Sequence, residues 1–413
     1  MIQNKLTFID LFSGCGGLSE GFLSSNLFHG LAHVEWEKPM VDTLRNRLNT
    51  HWDHSTEEAQ KRVIHFDIQR VDQLINGNWD TKALNEFEGS NHSDIVENGL
   101  NAIIKEEPVD IIIGGPPCQA YSLAGRAKNP QGMKDDYRNF LFESFVKIVD
   151  HYKPKLFVFE NVQGMLSAKP GDVNVTQRIF DAFNKIGYNI TKPENLRECL
   201  LNTDDFEVPQ SRKRVIIIGV KNDTEYNLNT IYKTINKKKT KEKKTVRDAI
   251  EHLPSFAPLS FPINVDGKKV AYKATSNIEV PNHFPRFNNL RDIAIFKDWV
   301  ELEMNKKTQQ EKLEFYKQRT NRYSNIVKYR SLCWDKPSPT IVAHLNKDGL
   351  LFIHPDALQS RSITVREAAL LQSFPMDYNF CGSRGACYKM IGNAVPPLFA
   401  KKIAIAIHQY LHM

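Results

Sequence analysis

Along the first half of the chain, short continuous apolar runs alternate with segments whose apolar residues recur every three or four positions. "KLTFIDLF" (Lys5 to Phe12) predicts a buried strand, followed by the glycine turn "SGCGG" and a helix starting near Leu18. "GLAHVE" predicts a second strand with the helix "KPMVDTLRNRL" after it, and "RVIHFDI" a third strand. A polar, helical insertion is expected from Asn76 to Glu107. "VDIII" then resumes the strand pattern, "YRNFLFESFVKIVDHY" has helical period, and "KLFVFENV" and "RVIIIGV" (Arg214 to Val220) are β-rich. Strands interleaved with helices predict an α/β fold built on a mostly parallel, twisted sheet covered on both faces.

After Val220 this rhythm stops. Residues 221–355 are rich in lysine and asparagine, carry scattered aromatics, and offer one clear helix, "LRDIAIFKDWVELEM". The pattern returns with "TVREAALLQSF", where Thr364 and Glu367 have the spacing of a capping box. A last helix follows "GNAVPP", with proline in its first turn. The organisation expected is a large α/β domain (1–220), a smaller irregular domain (221–355), and a return segment (356–413) that completes the first.

Composition adds few constraints. At 41% hydrophobic and 25% charged residues the chain has the balance of a soluble globular protein. The 55 Lys and Arg outnumber the 48 Asp and Glu, an excess compatible with a polyanionic partner and concentrated in the solvated run "NKKKTKEKK" (Asn236 to Lys244). No signal peptide or membrane-length apolar run is read in the sequence, and no membrane partner is expected. The six cysteines lie far apart without a CxxC pair, which argues against a disulfide framework or zinc cluster and for a reducing cytoplasm. No metal site is called for.

Two stretches carry chemistry. The first is the turn with Gly14, Gly16 and Gly17 between the strand ending in Asp10 and a helix, which lets backbone approach a nucleotide-like ligand. Glu35 ends the next strand, where a carboxylate can accept from two ribose hydroxyls; Trp36 offers a flat face to adenine, and Asp67 can accept from its amino group. No Walker lysine follows the glycines and no full GxGxxG is present. An adenosine without phosphates, as in S-adenosylmethionine, therefore suits the turn better than NAD. The second stretch is "DIIIGGPPCQAYSLAGR" (Asp110 to Arg126), where Pro116 and Pro117 stiffen the backbone before Cys118, at a strand end where parallel sheets bind ligands.

"FIDLFSGCGG", "GGPPCQAYS", "FENVQG", "VPQSRKRVIIIG", "REAALLQSFP" and "GNAVPP" stand in the order found in DNA (cytosine-5)-methyltransferases. The sequence resembles the bacterial members of restriction–modification systems, over both ends and most of the first half, leaving 221–332 uncovered. The resemblance implies that Cys118 is the nucleophile adding to carbon 6 of a flipped cytosine. It makes Glu160 the contact to ring N3 and the exocyclic amine, held with the cytosine carbonyl oxygen by Arg212 and Arg214. It places Gln119, Ser122, Arg126 and Gln210 at the DNA and target base. Phe12, Pro117, Leu141, Asn393 and Val395 join the S-adenosylmethionine pocket. It further implies a monomer acting on double-stranded DNA, with a separate cognate restriction endonuclease as a possible partner, and a target-recognition role for the irregular domain.

Overall fold

The structure is a computed structural model that describes residues 5–104, 107–117, 141–169, 174–223, 225 and 227–412. Its contacts divide the chain into two compact units, one formed by 1–207, 212–241 and 394–413, the other by 208–211 and 242–393.

In the first unit the apolar runs become strands. These are β1 (Leu6–Leu11), β2 (Phe28–Glu35), β3 (Val63–His65), β4 (Ile111–Gly114), β5 (Leu156–Val162), β6 (Tyr188–Asn189) and β7 (Leu200–Asn202); β9 (Lys213–Lys221) follows β8 (Gln210–Ser211) of the second unit. The sheet runs β3-β2-β1-β4-β5-β9-β6, with β7 also paired to β9. The first five strands are mutually parallel. Ile111, Ile112 and Ile113 are fully buried, as are Phe157, Val158 and Phe159, so these strands read as unbroken apolar runs instead of alternating. The last long strand departs from the parallel rhythm: β9 lies antiparallel to β5, pairing Glu160 with Ile216 and Val162 with Arg214.

The chain leaves β1 for β2 and β3 on one side and returns to β4 on the other. The carboxyl ends of β1 and β4 therefore flank the point where strand order reverses, which is where open α/β sheets leave a ligand crevice. Both candidate stretches, the glycine turn and "GGPP", follow these two ends directly.

The C-terminal helix Pro397–Leu411 packs on the helix Gly17–Ser24 that starts at the glycine turn. Gly17 and Gly21 sit one turn apart and let the two backbones meet. A Cβ on Gly17 would lie 2.2 Å from Val395 O, and one on Gly21 2.3 Å from Ala400 Cβ and 2.6 Å from Lys401 N. Gly21→Ala is expected to destabilise the protein by roughly 1–3 kcal/mol through overpacking; a thermal midpoint equal to wild type would contradict this close contact.

Two features of this end were not anticipated. Gly392 and Asn393 are not a free turn but close a helix, Arg384–Asn393, that precedes the last one. Together the two helices span 28 residues and include a window long and apolar enough by composition to cross a membrane, although the sequence offered no such run to the eye. About two-thirds of that window is buried inside the protein, as expected of core helices.

The second unit packs around Ile295, Phe296, Trp299, Phe315, Tyr329 and Ile353. Its helix Leu290–Glu301 matches the one read in the sequence, and Val365–Leu371 begins with the expected capping box of Thr364 and Glu367. It also contains β12 (Ser338–Pro339), paired with β8, and an antiparallel hairpin of β10 (Phe256–Val265) and β11 (Lys268–Ala274). Residues 356–393, assigned from sequence to the return segment, cluster here: Val365–Leu371 packs on Val246–Ile250, and Arg384–Asn393 on Ala343–Asn346.

Candidate functional site

Glu160 near the end of β5 organises one half of the site. Its Oε1 lies 2.7 Å from Arg214 Nε, a pairing made possible because antiparallel β9 brings Arg214 opposite Val162, two residues along. Only 9% of Glu160 is exposed. Burial pushes its carboxyl above the usual glutamate range, opposed by the nearby charges of Arg214 and Arg212. Arg212 is itself buried, just before β9. A Cβ on Gly115 would stand 2.6 Å from Glu160 Oε2, so only glycine admits the carboxylate beside the backbone of the proline loop. Asn161, which sequence reasoning quoted but did not single out, is buried and donates from Nδ2 to Pro116 O at 3.4 Å, tying that loop to β5. Its signal was there: a carboxamide in an otherwise apolar run needs a partner. Pro116 is buried and Pro117 half-buried. Cys118, Gln119, Ser122 and Arg126 lie outside the described residues.

The other half grows from the glycine turn. Gly14 and Gly16 take left-handed φ of 57° and 86°, and Phe12 between strand and turn also has a positive φ of 58°. The turn presents the Gly14 N–H to Glu35 Oε2 at 2.8 Å; Trp36 and Glu37 N–H groups both donate to Oε1 at 2.8 Å. Three donors thus fix this carboxylate at the end of β2, while burial still raises its pKa. Trp36 is 52% exposed, with its carbonyl accepting from His65 Nε2 at 2.8 Å. Asp67 lies two residues beyond β3, where its Oδ1 accepts the Gln69 N–H at 3.0 Å in a local turn. Leu141 opens the helix Leu141–Tyr152 and is buried. Val395 sits against Gly17 through its carbonyl. Asn393 is exposed and belongs to the second unit.

Asp10 differs from the strand-end carboxylate the sequence suggested. It lies inside β1, wholly buried, with Oδ2 accepting from Ser19 Oγ at 2.5 Å. Ser19 Oγ also lies 2.8 Å from His33 Nδ1. Burial first, and then the charge of Glu35, push the Asp10 carboxyl up to about 7, while burial lowers His33 to about 3. The network lies beneath the glycine turn and carried no pattern in the sequence, since its members come from three elements.

Gln210 is likewise placed differently from an open base contact. It is fully buried in the second unit, its Oε1 accepting the Ile341 N–H at 2.7 Å and its Nε2 donating to Gln372 Oε1 at 2.8 Å. It joins β8 to the segment around β12. Among the described residues no group of three or more His, Cys, Asp and Glu side chains could hold a metal.

The profile of the family "C-5 cytosine-specific DNA methylase" matches residues 6–79 and 76–409. The chain is 36% identical over 454 residues to the type II methyltransferase M.Bpa9945I of Bacillus paralicheniformis, covering 98% of this chain and 99% of that protein. It is 32% identical over 415 residues to the type II methyltransferase M1.HphI of Haemophilus parahaemolyticus, covering 98% and 87%. Among solved structures, the methyltransferase EhMeth of Entamoeba histolytica shares the fold, with TM-score 0.56 at 13% identity and 99% of both chains covered.

Proposed function

The chain belongs to the C-5 cytosine-specific DNA methylases, and from that premise we propose that it methylates carbon 5 of a flipped cytosine in a short duplex DNA site, with S-adenosylmethionine as donor and Cys118 as covalent nucleophile. The observation that carries the reading is the buried Glu160–Arg214 pair set against Gly115 and the proline loop leading into Cys118.

Carbon 5 of cytosine is a weak nucleophile. Addition of the Cys118 thiolate to carbon 6 forms the C–S bond and moves the ring's π pair toward carbon 5. Negative charge then grows at N3, where Glu160 is suited to act, because burial favours its protonated form and a proton there can be shared with the ring nitrogen. Arg214 holds the carboxyl in position, and Arg212 adds positive charge close by. After methyl transfer the carbon 5 proton leaves to water and the C–S bond breaks, returning the pair to the ring and the thiolate to Cys118. Carbon 6 is inaccessible in a stacked duplex, so the base is extruded first, at about a few kcal/mol.

The residues fit the donor. Glu35, already oriented by three backbone N–H groups, keeps lone pairs for ribose hydroxyls; the exposed face of Trp36 and the carboxylate of Asp67 suit adenine. Leu141, Phe12, Pro117 and Val395 complete the proposed pocket. Bound there, S-adenosylmethionine supplies an electrophilic methyl group. Gln119, Ser122 and Arg126 are assigned to the flipped nucleotide. The second unit is assigned to sequence recognition. The protein acts as a cytoplasmic monomer, as the protective methylase beside a separate restriction endonuclease.

Duplex DNA carrying 5-fluorocytosine should trap the enzyme, since fluorine cannot leave as a cation and the adduct persists. A denaturing gel should show a cofactor-dependent protein–DNA band that Cys118→Ala does not form. Labelling of ordinary DNA at carbon 5 without any trapped species would overturn the covalent route.

A further inference from the structure

The hairpin of β10 and β11 has no role in the chemistry above, yet it exposes Phe261, Ile263 and Val265. Its base is anchored. Phe256, Ala271 and Tyr272 are buried with Ile293, and the Tyr272 hydroxyl lies 3.0 Å from both Asn288 Oδ1 and Ser360 O. Above the base the ladder breaks. Pro258 pairs with Tyr272 and Ile263 with Val270, so the four residues 259–262 face the single Ala271. This bulge turns Phe261 outward, leaving it 75% exposed. Beyond it, Asp266 and Gly267 both take positive φ, 46° and 73°, the two-residue turn whose twist suits a hairpin.

The tip beyond the bulge is a ribbon with both faces largely in water. Cross-strand partners share a face, so Ile263, Val265, Lys268 and Val270 project to one side and Asn264 and Lys269 to the other. The hairpin carries three lysines, Lys268, Lys269 and Lys273, all exposed, against the single acid Asp266. A two-stranded ribbon is marginal alone in water, and a purely structural hairpin gains nothing from Phe261, Ile263 and Val265 at its open end.

We propose that this hairpin enters the major groove of the substrate duplex, with Lys268 and Lys269 on phosphates of the two groove walls and the outward-turned Phe261 directed at base edges. A groove about 12 Å wide admits a two-stranded ribbon. Lysines on opposite faces of the ribbon match the two phosphate rows that border it. An aromatic edge can meet a thymine methyl. A second copy of the chain is a poorer occupant, because stacking either face on itself brings like charges together. The proposal rests on the DNA methylase reading and names the element of this chain that grips the duplex.

The test uses the full chain with Lys268→Ala/Lys269→Ala and, separately, Phe261→Ser, assayed with mixed-sequence duplex DNA and methyl-labelled S-adenosylmethionine. The double variant should raise KM for DNA about tenfold and flatten the slope of log affinity against log salt by roughly 1.8, about 0.9 per phosphate lost. Its kcat, KM for the donor and thermal midpoint should stay at wild-type values. Phe261→Ser should keep the wild-type salt slope and weaken binding to a methylated site more than to unrelated DNA. An unchanged KM and slope in the double variant would overturn the proposal, as would a shift from dimer to monomer with DNA binding intact. If wild type transfers no methyl group to cytosine, the functional reading falls instead, and the salt slope alone still decides the hairpin.

Discussion

Changing Glu160 to glutamine is expected to lower the single-turnover rate of methyl transfer by about 10²–10⁴ while leaving affinity for duplex DNA nearly unchanged. Glutamine preserves the shape and can still donate to ring N3, but it cannot pass a proton to it. The wild-type carboxyl is suited to that task because burial raises its pKa while Arg214 at 2.7 Å keeps it from remaining neutral under all conditions. The wild-type rate should rise with pH as the Cys118 thiolate forms, then fall as Glu160 loses its proton, giving a bell. In Glu160→Gln the falling limb attributable to this group should vanish. A merely structural Glu160 would predict something else: equal losses in DNA affinity and rate, rescue by Arg214→Met, and an unaltered profile. A glutamine variant with full activity would remove Glu160 from the chemistry.

The two halves of the site use one physical device. At Glu35 and at Glu160 a carboxylate stands at or near a strand end, largely removed from water, and is oriented by groups the fold supplies: backbone N–H donors in one case, a guanidinium in the other. Burial raises both, and fixed donors limit the rise. Such preorganised acceptors need little rearrangement when a ligand arrives.

Much of this was legible because buried parallel strands leave continuous apolar runs. β1, β2, β4, β5 and β9 could all be read that way, and the turns after β1 and β4 carry Gly and Pro where no regular element tolerates them. Direction was not legible. A strand buried on both faces reads the same in either sense, so nothing in "RVIIIGV" announces that β9 runs against β5, although that reversal is what brings Arg214 to Glu160. The β10–β11 hairpin was hidden for the opposite reason. Pro258 and Pro262 argue against a strand leading into the Asp266–Gly267 turn. Arg384–Asn393 has only Arg384, Lys389 and Asn393 as polar side chains besides the buried Cys387 and Tyr388, and its two glycines and one alanine blur the period, so it offers no clear amphipathic pattern. Gln210 could not be placed from sequence, since its partners Ile341 and Gln372 lie more than a hundred residues away.

Arg361→Met is expected to destabilise the protein by about 3–5 kcal/mol, an effect comparable to the catalytic one but on folding. Arg361 and Glu367 are both 1% exposed and meet through two contacts, Nη2 to Oε1 at 2.6 Å and Nη1 to Oε2 at 2.7 Å. Glu367 also accepts the Thr364 N–H at 2.7 Å in the capping box, and Arg361 donates to Gln359 Oε1 from Nη2 at 2.7 Å. Burial would raise the Glu367 carboxyl, but the guanidinium wins and holds it well below the usual carboxylate range. Removing one partner leaves the other charged and dry, whereas Arg361→Met/Glu367→Leu removes both and should recover part of the loss. Recovery stays incomplete because the Thr364 N–H loses its acceptor and Gln359 Oε1 loses both Arg361 donors, keeping the Phe256 N–H. The sign with pH follows from the depressed value: the pair's contribution is complete above the unfolded glutamate pKa of about 4.3 and is lost as pH falls toward the folded value. The stability gap between wild type and Glu367→Gln should therefore be constant from neutral pH to about 5 and shrink below about 4. Thermal midpoints of both proteins across that range read it directly. A gap that is absent at pH 7, or that grows with acid, would mean that the pair does not hold this unit together.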